Sequence, residues 1–96
     1  MSFHVRTRGD FQRRLRRWNL PVEVQIDVRL RLDELLHNPA ERLQRITHPF
    51  DGLAYIFPAV DRSNRTYGYV FTFQVRYGTD EETLWVVSGG YERVPI

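Results

Sequence analysis

The sequence predicts a single α+β domain over residues 1–96, a small antiparallel-rich sheet packed against helices from its N-terminal half. Three observations carry this. The stretch TYGYVFTFQVRY, Thr66 to Tyr77, places Tyr67, Tyr69, Phe71, Phe73, Val75 and Tyr77 at alternate positions, the period of a strand with one buried face. Phe11, Leu15 and Trp18 recur at i, i+4 and i+7, the spacing of one helix face. After residue 52, apolar runs are separated by short polar or glycine-containing turns, as in strands joined by hairpins.

With 96 residues, 42% hydrophobic and 14% aromatic, the chain is globular rather than disordered, and most of its apolar residues must serve one core. No segment approaches the roughly 20 apolar residues that span a bilayer, so no membrane partner is expected. MSFHVRTRGD has charges where a signal peptide needs its apolar region. Cysteine is absent, which removes disulfide and thiolate chemistry and fits a cytoplasmic location. All 14 basic residues are arginine, the side chain that binds phosphate bidentately. Six of them, Arg6, Arg8, Arg13, Arg14, Arg16 and Arg17, precede Asn19 against one acid, Asp10. This uneven charge favours an acidic partner.

Taken in order, Phe3, Val5 and Thr7 alternate with His4, Arg6 and Arg8, giving a first strand that ends at Gly9. Asp10 is the expected cap of the first helix, whose outer surface carries Arg13, Arg14, Arg16 and Arg17. Asn19 and Pro21 mark the next start, with Asn19 as cap and Pro21 in the first turn. From Leu20 to Leu32 apolar residues alternate strictly, a strand pattern. The length of Pro21 to Leu36 and its end, DELLHNP, read instead as a helix stopped by Pro39, and periodicity alone leaves both readings open.

Asn38, Pro39 and Glu41 supply a cap, a first-position proline and a capping-box acid for a short helix or turn through Ile46. Thr47 to Gly52 is a loop. Leu53 to Val60 is a strand, and Pro58 near its end predicts an edge or a bulge there. Asp61 to Arg65 is a polar turn into the central strand, and Gly78 to Glu82 is the next turn. Thr83 to Ser88 is the last strand, which Gly89 and Gly90 are expected to end.

The run LPVEVQIDVRLRLDELLHNP, then Leu43, the Pro49 to Gly52 turn, YVFTFQV and LWVVSGGY together resemble the RelE/ParE superfamily of small bacterial toxins, over most of the chain. The resemblance implies that Pro21 to Leu36 is a helix, which the apolar alternation would bury on more than one side. It would form a helical hairpin with the first, in the order β-α-α-β-β-β. It also implies a RelE-like toxin of a type II toxin-antitoxin pair, inhibiting translation by ribosome binding and cleavage of messenger RNA. No cofactor is implied. A cognate antitoxin protein and the ribosome or its RNA are the implied partners, and a homo-oligomer is compatible with it.

RelE-type members bind the scissile phosphate with basic and aromatic sheet residues, activate the ribose 2′-hydroxyl and protonate the leaving group. Position by position, this chain departs from that pattern. Val70 stands directly after Tyr69, where the family has arginine, and the two basic positions of the preceding strand fall on Ala54 and Ile56. Tyr91 and Glu92 follow Gly90, where His or Lys and then Arg are usual, and the terminal tyrosine falls at Ile96. A one-residue offset would put Arg93 at that arginine.

The groups left to take these roles are Arg76 on the even face of the central strand, Tyr91 and Arg93 after the last strand, and His48 in the loop. These four are the candidate catalytic residues. Arg13, Arg14, Arg16, Arg17 and Arg65 are the candidate RNA contacts. Surface ion pairs with Asp80, Glu81, Glu82 or Glu92 are the competing role for Arg76 and Arg93. The missing cations also support an alternative: a non-catalytic RelE/ParE-fold binding protein, either a ParE-like inhibitor of a protein target or an inactive relative. His4, His37 and His48 are too widely spaced for a metal site, and the aromatics of the odd face are expected in the core rather than stacked on bases.

Overall fold

The alternating stretch becomes the middle strand of a five-stranded sheet. The structure is a computed structural model that describes residues 4–61 and 67–95. Its elements are β1 (His4–Thr7), α1 (Gly9–Arg17), α2 (Val22–Glu34), α3 (Pro39–Arg42), β2 (Gln44–Ile46), β3 (Gly52–Val60), β4 (Tyr67–Tyr77) and β5 (Thr83–Pro95). The strand order is β1-β5-β4-β3-β2, with β1 parallel to β5 and the other pairs antiparallel. The expected α+β architecture is therefore present.

Tyr69, Phe71, Phe73 and Val75 are buried on one face of β4, together with Phe57 of β3 and Leu84 and Val86 of β5. Phe11 of α1 and Val24 and Val28 of α2 close the core from above. Val70, Thr72, Gln74 and Arg76 lie on the opposite, helix-free face of β4, none of them buried. Tyr67 and Tyr77, at the ends of the strand, are each 41% exposed.

Pro21–Leu36 is indeed largely helical, but it is not buried on more than one side. Val24 and Val28 face the core, while Val22, Ile26 and Leu30 are 69%, 50% and 54% exposed. The strict alternation explains this. On a helix, positions two apart lie about 200° round the axis, so one alternating run splits into two opposite i, i+4 rows. The buried row packs on β3, where the Tyr55 hydroxyl donates to the Arg31 carbonyl at 2.8 Å. Burial, and after it the Glu34 carboxylate, push that phenol above its ordinary 10.0, so it stays a donor.

Several boundaries differ from expectation. Asp10 lies inside the first turn of α1, and the cap position is Arg8. Asn19 does not cap α2, whose cap position is Pro21; it takes a left-handed conformation, φ 49°, between the two helices. Asn38 does precede α3, with Pro39 in its first turn. α3 stops at Arg42, however, because Gln44–Ile46 pairs with Gly52–Ala54 as a hairpin and strand pairing overrides a short helix. β2 ends at that point, so β3 is an unpaired edge from Tyr55 onward, where Pro58 is tolerated.

The glycines do not end the last strand. β5 continues through Gly89 and Gly90 to Pro95, after an irregularity opposite Gln74 and Val75. Gly89 is there because the core leaves no room for a side chain: a Cβ would sit 2.5 Å from Phe73 Cδ1 and 2.8 Å from the Thr72 carbonyl oxygen. Gly89→Ala is therefore expected to destabilise the fold by about 1–3 kcal/mol, the usual range for overpacking, measured by urea unfolding. An unchanged midpoint would mean that β4 and β5 lie further apart.

The turn into β5 is fixed by Asp80. Its Oδ1 accepts from the Glu82 and Thr83 amides, both at 3.0 Å, and its Oδ2 from the Thr83 hydroxyl at 2.9 Å. The two amides, then the hydroxyl, hold this carboxyl below its ordinary 3.8.

Candidate functional site

The Thr47 to Gly52 loop folds back over the helix-free face of the sheet. It brings His48, Pro49 and Phe50 to a cleft of about 620 Å³ whose floor is Val70 and Thr72 of β4 and Ser88 to Glu92 of β5. Arg14 of α1 lines the same cleft. It can do so because β1 pairs with β5 only through Val86, leaving α1 beside the next stretch of β5. Gly90 has open space where a side chain would be, so the floor of the cleft is bare backbone there.

Tyr91 is half-buried, its ring 4.9 Å from Trp18, 5.6 Å from Phe71 and 5.8 Å from Tyr69 between centroids. Those three contacts fix its position, since aromatic pairs at these distances are favourable. Ser88 donates its hydroxyl to Gln74 Oε1 at 2.8 Å, tying β5 to β4 beside the irregularity. His48 precedes a cis peptide bond to Pro49 and is exposed. Glu92 is exposed opposite Val70.

Three of the residues singled out in the sequence, Arg14, His48 and Tyr91, thus share one space. Arg76 and Arg93 do not line it. Arg76 lies on the same face of β4, four residues along from Thr72, opposite Trp85. Arg93 is opposite Tyr69, on the helix side of the sheet, with its guanidinium 5.1 Å from the Tyr67 ring centroid. Among the described residues neither forms an ion pair. Arg13, Arg16 and Arg17 are exposed on α1, and Arg65 lies outside the described residues.

Glu92, Thr72 and Ser88 were not anticipated. Their signal was parity: once β5 is carried through the glycines, Ser88, Gly90 and Glu92 alternate onto the face that holds Val70 and Thr72. While the Tyr91 ring packs on the helix side of the sheet against Trp18 and Phe71, the cleft combines a guanidinium, an imidazole and a carboxylate. Such a set can bind a phosphodiester and move protons at it. Among the described residues no helix is long and apolar enough to cross a membrane, and no three His, Cys, Asp or Glu side chains gather as a metal site. No family model, curated protein or solved structure matches this chain.

Proposed function

We propose that this chain is a RelE-like toxin of a type II toxin-antitoxin pair, acting in the cytoplasm on translating ribosomes and cutting messenger RNA in the cleft. The observation that carries this reading is that one cleft is lined by Arg14, His48, Tyr91 and Glu92. Cleavage of RNA by its own 2′-hydroxyl needs a base, an acid and a cation at one phosphate. The Glu92 carboxylate takes the 2′-hydroxyl proton, and the 2′-oxygen attacks the neighbouring phosphorus. The bond from phosphorus to the 5′-oxygen breaks, and protonated His48 gives that oxygen its proton. The products are a 2′,3′-cyclic phosphate and a 5′-hydroxyl. Arg14 faces the charge that grows on the non-bridging oxygens.

The exposed arginines of α1 would engage ribosomal RNA phosphates, an interaction that salt weakens. The antitoxin would cover these arginines and the exposed apolar row of α2.

That same row of Val22, Ile26 and Leu30 favours a second reading, a RelE/ParE-fold protein that binds a protein target without cutting RNA. The apolar Ala54, Ile56 and Val70, where RelE-type members carry cations, point the same way. Adding the purified chain to a cell-free translation reaction and mapping new 5′ ends on the message separates the two. Cuts confined to translated message are the expected result. Intact message would transfer the assignment to the binding protein.

A further inference from the structure

On the helix-free face, strand register sets Arg6 of β1, Trp85 of β5 and Arg76 of β4 directly opposite one another, in a row across three strands. Opposed residues in neighbouring strands point to the same side, their Cβ atoms about 5 Å apart. Trp85 is 37% exposed, and both arginines are exposed. Among the described residues neither arginine has an ion pair, and neither stacks on a ring. Asp80, exposed in the turn before β5, is already engaged by that turn's own amides and hydroxyl.

An indole left in solvent between two uncompensated guanidinium groups matches one chemistry well. A single-stranded nucleic acid places a base on the ring and its flanking phosphates on the cations. We infer that the Arg6, Trp85 and Arg76 row is a base-stacking subsite for single-stranded RNA. The inference rests on the reading of the cleft as an RNA site. Thr72 of the cleft floor and Arg76 share a face of β4, about 13 Å apart at the rise of a strand. RNA leaving the cleft along β4 and β5 therefore reaches Trp85.

The test is binding of fluorescein-labelled oligouridylate to the whole purified chain, by anisotropy over a series of salt concentrations. Trp85→Ala is expected to weaken binding about 5- to 150-fold, the range for loss of one stacked base, and Trp85→Phe to restore most of it. Arg6→Ala with Arg76→Ala is expected to weaken binding and to lower the slope of log affinity against log salt by about 1.4. Unchanged affinity in Trp85→Ala, an unchanged salt slope in the arginine pair, or tighter binding of oligothymidylate than oligouridylate overturns the assignment. The assay needs neither ribosome nor cleavage. Message can therefore stay intact in translation while this subsite holds, and the subsite can fail while message is cut.

Discussion

Replacing His48 with alanine is expected to slow cleavage of translated message by about 10²- to 10⁴-fold, the usual contribution of a positioned proton donor or acceptor. The side chain stands in an exposed loop and lines the cleft. Its removal should accordingly leave the melting curve within about 0.5 kcal/mol of the parent. Loss of activity at constant stability is the signature of chemistry rather than folding. Glu92→Gln should give a loss of the same order, because it keeps the shape of the side chain and removes its capacity to take a proton. If the two act on one reaction, the double variant loses much less than the product of the single losses. Arg14→Ala tests the cation, since losing a contact to charge that grows only in the transition state lowers kcat and kcat/KM together with little change in KM. A His48→Ala protein that cuts at the parental rate would remove the imidazole from the mechanism.

Much of the fold was legible because β4 obeys the simplest rule. A period of two with aromatic residues on one side leaves few alternatives for a central strand, and Tyr69, Phe71, Phe73 and Val75 are buried as that rule requires. The same period misleads in α2, where it generates two opposite helix rows, so the sequence pattern was equally compatible with a strand. Local signals failed where a distant partner decided the outcome. Gln44–Ile46 is a strand because Gly52–Ala54 lies beside it, and Gly89 sits within β5 because Phe73 fills the space a side chain would need.

The site was legible only in its inventory. His48, Tyr91 and Arg14 are far apart in sequence, and no spacing rule says that the loop after β2 folds onto β4 or that α1 runs beside β5. Arg76 and Arg93 illustrate the converse. Both follow apolar strand segments, but the irregularity in β5 and the parity of the strands send them to opposite faces of the sheet.

Phe73→Ala is expected to cost about 3–5 kcal/mol of stability. The ring is fully buried and meets Phe11 at 5.5 Å and Phe57 at 5.4 Å, both edge-on, and Phe71 at 5.8 Å. It is the point where α1, β3, β4 and the close approach of β5 converge, so the cavity left by alanine has walls from four elements and collapses poorly. A domain of this size holds only about 5–15 kcal/mol in total. The loss should lower Tm by more than about 10 °C. Ile56→Ala is the matched control: Ile56 is 38% exposed on the other face of the neighbouring strand, and the change should stay within about 0.5 kcal/mol. The two results together decide which face of the sheet is the core, and a reversed pattern would invert the whole assignment, cleft included. The coupling with Gly89 adds an independent check. A Cβ on Gly89 collides first with the Phe73 ring, so Gly89→Ala should cost less in the Phe73→Ala background than alone. The remaining approach to the Thr72 carbonyl oxygen, 2.8 Å, keeps that relief partial. Additive losses would place the two residues out of contact and remove the steric reason for a glycine at the edge of the cleft.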